Sequence, residues 1–221
     1  MAYADFKTFD QLKENFSITI ESDHPFFTDT PTVEPSILLQ EILKENVPLA
    51  LNINTEKARS ELIIMQVLVE VRKRQNHRIS LFSGIDFTVD SDVGLNGYCD
   101  FIVSQSPNQL FITAPVVCMA EAKNESLRMA YPQCIAEMIA AQRYNAAHGQ
   151  DIETIWGVAT NGHDWRFLSL VGTQVRIDYH QYSIGQVGQL LGIFEYILGN
   201  DVSNIDKKDI YDGEKEGSGS I

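Results

Sequence analysis

Apolar residues recur with two different periods along the chain, and the change of period separates predicted helices from predicted strands. Near the N-terminus four apolar residues recur at three- and four-residue steps, which predicts an amphipathic helix: Phe6, Phe9, Leu12 and Phe16. Pro35 can open a second short helix that runs to about Lys44. We therefore interpret residues 1–54 as a helical accessory segment that packs against a core.

A longer helical pattern begins at Asn54 or Thr55 and runs to Arg74. A polar cap followed by Glu56 in the first turn marks its start. One broad stripe of this helix is apolar and includes Leu62, Ile63, Met65, Val67, Leu68, Val69 and Val71. Glu61 lies beside the stripe. It either faces the predicted sheet or is a solvated helix glutamate.

Short apolar runs separated by turn residues follow this helix and predict strands. Residues 84–89 and 97–103 form a hairpin around the turn sequence of residues 90–94. A third strand over 116–121 precedes a helix over 126–147, and a fourth strand covers 154–160. The hairpin signal Asn161-Gly162 then begins a β-meander, and an amphipathic helix over 184–198 closes the pattern.

This order of elements predicts an α/β (α+β) domain over residues 55–200. Its helix–three strands–helix–strand core would form a mixed sheet flanked by helices, extended by the C-terminal meander and helix. From Asp201 the sequence is rich in Asp, Lys, Gly and Ser, which predicts a disordered acidic tail over residues 201–221.

Composition limits the class of protein. With 221 residues, 44% hydrophobic and 21% charged, the chain can bury a globular core. No apolar run approaches the ~20 residues that a membrane span needs, and the N-terminus lacks the form of a signal peptide. We therefore expect a cytoplasmic protein without a membrane partner. The three cysteines have no metal-ligand spacing and are expected to be buried thiols.

The candidate chemistry lies at two strands. Asp100 interrupts one apolar run, and Glu121 and Lys123 share a face at the end of the next run. Two carboxylates forced together are costly unless one takes up a proton or a cation neutralises them. Mg²⁺ or Mn²⁺ prefers such carboxylate oxygens. The alternative is structural: Glu121 and Lys123 form a surface ion pair, and local hydrogen bonds satisfy Asp100.

Two further polar positions belong to the same hypothesis. Asp86 lies on the first strand of the hairpin, near Asp100, and suits a strand end, where it would support the metal ligands without touching the ion. On the helix over 126–147, Gln133 and Glu137 are four residues apart and face the same side.

At these residues the chain resembles the PD-(D/E)XK nuclease superfamily. The resemblance consists of Asp100, then Glu121-Ala122-Lys123 on the adjacent strand, within an αβββαβ order of elements that spans roughly residues 55–160. It is similar to the nuclease domain of type I restriction-enzyme motor subunits and to small stand-alone relatives. The resemblance implies a restriction-endonuclease-like fold. It also implies Mg²⁺- or Mn²⁺-dependent hydrolysis of nucleic acid, with DNA in restriction or repair as the expected substrate.

The resemblance also implies roles for individual residues. Asp100, Glu121 and the backbone carbonyl of Ala122 would hold the metal ion, and Glu61 would complete the site. Lys123 would act on the attacking water or on the scissile phosphate.

One element departs from the superfamily pattern. Several branches carry Gln-x-x-x-Tyr on the helix after the Glu-x-Lys strand, close to the DNA backbone. Here Gln133 matches the glutamine, but Glu137 stands at the tyrosine position and the aligned tyrosine is Tyr144. Gln133 is therefore kept as a catalytic-site residue, whereas a tyrosine role is not carried over.

The charge of the chain keeps a second function open. Net charge is −13, which opposes binding to a polyanion. Most of this acidity lies outside the motif region, because residues 1–54 carry nine acids and three bases while residues 55–147 carry ten and nine. The alternative to a nuclease is therefore a catalytically silent nuclease-like module that binds nucleic acid or protein. A homodimer and a separate motor or partner protein are further expectations.

Overall fold

The computed structural model describes residues 1–123 and 126–199, apart from the side chain of Cys118. The tail predicted over residues 201–221 lies outside the described residues. Within the described residues, eight strands form one sheet: β1 (Thr19–Glu21), β2 (Ser80–Asp86), β3 (Tyr98–Ser104), β4 (Val116–Ala122), β5 (Thr154–Thr160), β6 (Asp164–Val171), β7 (Gln174–Ile177) and β8 (Tyr182–Ser183).

Six α-helices accompany the sheet in the same residues: α1 (Phe9–Phe16), α2 (Ile37–Ile53), α3 (Glu56–Arg59), α4 (Met65–Arg74), α5 (Tyr131–Ala147) and α6 (Val187–Gly199). Thr55 caps α3 by accepting a hydrogen bond from the Ala58 amide, as the cap signal predicts. A π-helical turn, Ser60–Ile64, joins α3 to α4. None of the described helices is long and apolar enough to cross a membrane.

The strand order is β1-β7-β6-β5-β4-β3-β2, and β8 pairs with β6. Two neighbouring pairs, β1/β7 and β4/β5, are parallel, and the remaining pairs are antiparallel. The hairpin β2/β3 and the meander β5/β6/β7 arise where turn residues separate apolar runs. The parallel pair β4/β5 needs a crossover, and α5 supplies it. The predicted mixed sheet flanked by helices is confirmed.

Helices cover both faces of the sheet. One face packs against α5 and the N-terminal residues, around Phe6, Ile102, Met119 and Met138. The other face packs against α2, α4 and α6, around Leu43, Leu68, Phe167 and Phe194. Side chains alternate between the faces of a strand, so the face that carries Met119 also carries Glu121, which points toward α5. Asp100 lies at the edge of this group, and its charge acts on both Glu121 and Glu137.

Residues 1–54 do more than add two helices. They contribute β1, which pairs in parallel with β7, and their apolar side chains enter the cores on both faces. The helix predicted to end near Lys44 continues as α2 through Pro48 to Ile53. Proline inside a helix costs one hydrogen bond and local strain, amounting to ~3 kcal/mol. Burial of Ala50 beyond the proline helps to offset that cost.

A glycine allows α5 to lie close to the sheet. A Cβ atom added at Gly157, on β5, would overlap Met138 Sδ and would lie 2.9 Å from Cys134 Sγ, and both sulfurs belong to α5. Cys99 and Cys134 are buried, as their apolar surroundings predict. The close approach of α5 brings its polar residues to the level of the strand side chains.

The β2 end of the sheet carries a side chain that occupies its hydrogen-bonding edge. Gln109 lies in the loop after β3, and its side-chain amide accepts a hydrogen bond from the Leu81 N–H at 3.1 Å and donates one to the Leu81 carbonyl at 2.6 Å. The glutamine amide thus fills the position of a partner strand at this point of the edge.

Candidate metal centre

The structure brings Asp100 and Glu121 together on adjacent strands. The paired register of β3 and β4 ends with Phe101 opposite Ala120, and Asp100 and Glu121 are the next residues of the two strands, close enough for the charge of Asp100 to raise the pKa of Glu121. Directly opposed side chains share a face of the sheet and lie close together. Asp100 Oδ2 also accepts a hydrogen bond from the Ala122 amide at 2.8 Å. The carboxylate of β3 is thereby held against the end of β4.

Lys123 lies beside the same carboxylates. Its ammonium forms an ion pair with Glu121 Oε1, and its amide donates to the Thr160 carbonyl at 2.8 Å. Burial alone would lower the pKa of Lys123, but the negative charges of Glu121, Glu56 and Asp100 outweigh burial and raise it. Lys123 is therefore a cation at neutral pH. With 24% of its side chain exposed, it lies at the boundary between the site and solvent.

A third acid, Glu137 on α5, joins the site although sequence reasoning did not select it as a site residue. Its side chain is completely buried and lies against the Glu121 carboxyl group. Gln133 donates a hydrogen bond to Glu137 Oε1 at 3.2 Å, so this glutamine reaches the site through Glu137. An acid inside an otherwise apolar helix segment was the available signal. Its meaning depended on how α5 lies over β4.

Burial and charge make both glutamates reluctant to ionise. Burial, followed by repulsion from Asp100, raises the pKa of Glu121 to about 8 even though Lys123 opposes this shift. Burial, followed by repulsion from Glu121, raises the pKa of Glu137 well above its usual value even though the Gln133 hydrogen bond opposes this shift. We infer that the two carboxyl groups share a proton, which Glu137 holds and donates to Glu121.

Two carboxyl oxygens in the site lack a donor. No N–H or O–H group in the described chain donates to Glu121 Oε2 or Glu137 Oε2, and both atoms are buried. Such oxygens suit either the shared proton or a cation. Among the described residues, no group of three or more His, Cys, Asp or Glu side chains is arranged to hold a metal ion. Mg²⁺ commonly uses one or two carboxylates and keeps several waters, so Asp100 and Glu121 fit such an ion.

The structure does not bring Glu61 into this group. Its carboxylate is 2.7 Å from Lys57 Nζ and its side chain is 60% exposed. The surrounding helix packs on the face of the sheet opposite α5. This arrangement favours the solvated helix glutamate over a metal ligand.

Asp86 lies at the end of β2, opposite Tyr98 rather than Asp100. It is exposed, and it accepts a hydrogen bond from the Thr88 hydroxyl at 3.3 Å. The described structure therefore shows no hydrogen bond or ion pair through which Asp86 would support the metal ligands. The Tyr144 hydroxyl donates a hydrogen bond to the Ile112 carbonyl at 3.1 Å. This contact agrees with the prediction that Tyr144 has no role in the site.

The site lies where the parallel strands β4 and β5 end. Glu121 and Ala122 are the last residues of β4 and pair with Ala159 and Thr160 of β5. Crevices at the carboxyl ends of parallel strands are common ligand sites, because the chain leaves them in the same direction and opens a gap. Asp100 and Lys123 are partly exposed there, whereas Glu121 and Glu137 are buried beneath them.

No protein-family model, no curated protein and no solved structure matches this chain. The resemblance to PD-(D/E)XK nucleases therefore stays a prediction that rests on the motif residues and their arrangement.

Proposed function

We propose that this protein is a divalent-metal-dependent nuclease of the PD-(D/E)XK type that hydrolyses phosphodiester bonds, with DNA as the substrate. One observation carries the proposal. Asp100 and Glu121 lie side by side at the carboxyl end of β4, with the Lys123 ammonium against them and with donor-free carboxyl oxygens below. An acid pair that can hold a metal ion beside a fixed cation suits metal-dependent phosphodiester hydrolysis.

Asp100, Glu121 and the backbone carbonyl of Ala122 would hold the ion. A bound Mg²⁺ or Mn²⁺ would supply Lewis acidity toward the phosphoryl oxygens and would increase the acidity of water. Glu121 must then give up its share of the proton, and Glu137 can retain that proton because its pKa is raised well above the usual value. Gln133 keeps Glu137 in position through the 3.2 Å hydrogen bond.

Lys123 acts as a charge rather than as a base. Its raised pKa keeps it protonated near neutral pH, so it donates hydrogen bonds and does not accept a proton from water. In the described structure Glu121 orients the ammonium. When a phosphate enters, the same ammonium can donate to a phosphoryl oxygen on which negative charge develops.

The test is cleavage by the full-length chain. Lys123→Ala should lower the cleavage rate by about 10²–10³, because one preorganised charge is removed from the transition state. The fold and most metal affinity should remain, since lysine is not a ligand. The assay compares single-stranded, duplex and supercoiled DNA, and RNA, with Mn²⁺ and with chelator. Lys57→Ala is the matched control, because Lys57 pairs with Glu61 at the surface.

Cleavage that persists in both Lys123→Ala and chelator would contradict the proposal, because it would come from another site or from a contaminant. Cleavage of RNA alone would retain the chemistry and correct the substrate. A homodimer and a separate motor or partner protein remain predictions that this assay does not address.

A second candidate function is a nuclease-like module that binds nucleic acid or protein without cutting. The buried Glu137 favours it, because an acid stands where the superfamily pattern has tyrosine, and so does the net charge of −13. Normal metal binding with no cleavage of any substrate would favour this function over the nuclease.

A further inference from the structure

A row of side chains continues from the carboxylate pair across the sheet. Asp100 and Glu121 are neighbours on β3 and β4, Glu121 lies opposite Ala159 on β5, and Ala159 lies opposite Arg166 on β6. Opposed residues share a face, and contacts with α5 place Glu121, Ala159 and Arg166 on the α5 side. From β3 to β6 the row therefore contains two acids, an alanine and an arginine. Two strand spacings, or roughly 10 Å, separate the backbones at Glu121 and Arg166.

Arg166 is partly buried and has no acidic partner. Its guanidinium donates to the Tyr131 hydroxyl and to the Tyr179 carbonyl, each at 3.2 Å. Its Nε is buried without an acceptor, and no carboxylate in the described part of the chain forms an ion pair with it. Arg128 adds a second positive charge near the Tyr131 hydroxyl, because both arginines oppose the rise that burial causes in the pKa of Tyr131.

Arg59 and Arg72 also have a buried Nε without an acceptor, but of these three arginines only Arg166 belongs to the row that contains Glu121. Several other arginines do pair with acids: Arg74 with Glu195, Arg143 with Asp90 and Arg176 with Glu21. A partly buried cation is costly without a counter-charge, and a planar guanidinium matches the oxygens of a phosphate. The structural explanation is that Arg166 only ties β6 to α5 and to the loop at Tyr179.

We propose that Arg166, oriented by Tyr131 and assisted by Arg128, binds a non-reacting phosphate of the nucleic-acid strand whose scissile phosphate lies at Asp100 and Glu121. This inference rests on the proposed nuclease function and makes Arg166 a positioning residue of the same site. Ala159, between Glu121 and Arg166 in the row, is completely buried, so the nucleic-acid strand would not pass over the covered face of the sheet. It would run along the edge of the sheet where β4 and β5 end and β6 begins, from Asp100 and Lys123 toward Arg166.

The experiment measures binding of a fluorescently labelled single-stranded DNA oligonucleotide at several salt concentrations. The full-length chain carries Lys123→Ala, so that the DNA is cut only slowly, and Mg²⁺ is present as the proposed metal ion. Adding Arg166→Gln should weaken binding by roughly tenfold or more. It should also reduce the slope of log K against log salt by about 0.7, because one phosphate contact is lost. Arg143→Gln, which removes the same charge from the Asp90 pair, should leave the slope unchanged.

Arg166→Lys and Tyr131→Phe separate recognition from folding. Both keep a cation at position 166, so the salt slope should remain while the affinity falls severalfold. The melting temperature of each variant shows how much the contacts of Arg166, including its hydrogen bond to the Tyr179 carbonyl, contribute to stability. An Arg166→Gln variant with wild-type affinity and slope would overturn the inference and leave the nuclease intact. The same holds if Arg166→Gln changes only the melting temperature. A chain without Lys123→Ala that neither binds nor cuts any nucleic acid would overturn the proposed function, and this inference with it.

Discussion

Glu121 and Glu137 are ordinary glutamates whose chemistry is set by where they are placed. Both side chains are completely buried, one at the end of β4 and the other on α5, and each lies against the other. Asp100 adds negative charge from β3, and Lys123 only partly compensates. At this scale the site is a pair of acids that holds a proton in the absence of a cation.

This pair predicts an unusual dependence of stability on pH. In the metal-free protein burial raises the pKa of Glu121 to about 8 and raises that of Glu137 well above its usual value. Between about pH 5 and 8 the folded chain therefore holds protons that the unfolded chain releases, so stability falls as pH rises. Each such group contributes up to ~1.4 kcal/mol per pH unit. Glu137→Gln should flatten the fall, measured by urea unfolding in chelator.

Glu61→Gln is the matched control for this measurement, because Glu61 is an exposed partner of Lys57. It should leave the pH dependence unchanged. A wild-type protein whose stability is flat or rises between pH 5 and 8 would show that the glutamates ionise normally and share no proton.

At the scale of elements, β4 is fixed at both ends by side-chain contacts. Its last residues carry the site, and Asp100 holds the Ala122 amide. At its start, the buried side chain of Asn145 on α5 accepts a hydrogen bond from the Val116 amide at 2.8 Å and donates one to the Val116 carbonyl at 2.7 Å. These two bonds replace a missing strand partner and fix the position of α5 along β4.

Asn145→Ala should therefore destabilise the fold by about 2–5 kcal/mol, since it leaves two buried backbone groups without partners. Denaturant unfolding measures the loss. Gln142→Ala on the same helix removes only an exposed hydrogen bond to the Gly172 carbonyl and should change stability by less than about 0.5 kcal/mol. Similar losses for both variants would mean that Asn145 does not fix the strand.

The elements that the sequence predicts well are those with local signals. The strand over 154–160 agrees with β5 at both ends, and the Asn161-Gly162 turn leads into β6, because alternation and turn residues act over a few positions. β1 was not predicted, because three residues carry little pattern and their partner β7 is distant in the chain. The π-helical turn at Ser60–Ile64 also had no signal in the apolar stripe.

The site residues also differ in whether a local signal in the sequence could predict them. Asp100, Glu121 and Lys123 could be selected because they interrupt or end apolar runs on two strands that follow each other in the sequence. Glu137 could not be assigned to the site, because its contact with Glu121 depends on the close approach of α5 at Gly157. Whether Glu61 faced the sheet likewise depended on which face its helix covers.

At the scale of the whole molecule, an excess of negative charge surrounds this site. The net charge of −13 raises the cost of holding more acids close together and disfavours approach of a polyanion. A divalent cation that binds only the folded chain would relieve the local repulsion and stabilise the whole fold through mass action.

Mg²⁺ or Mn²⁺ should therefore raise the melting temperature, by the equivalent of about 2.7 kcal/mol when the ion is at a hundred times its Kd. Asp100→Asn should remove most of this response, because a ligand charge is lost. Asp86→Asn is the matched control from the exposed end of β2 and should keep it. Thermal unfolding and titration calorimetry on the three proteins give the answer. Equal binding by wild type and Asp100→Asn would place the ion elsewhere.

The glutamine at the β2 edge bears on how copies of this chain can meet. An unprotected outer strand is a template for sheet extension between molecules, which leads to fibrous aggregates. Because the Gln109 amide already occupies the N–H and C=O of Leu81, an incoming strand must first displace two hydrogen bonds. Any homodimer of this protein is therefore more readily built through side chains on a helix-covered face than by continuing the sheet across β2.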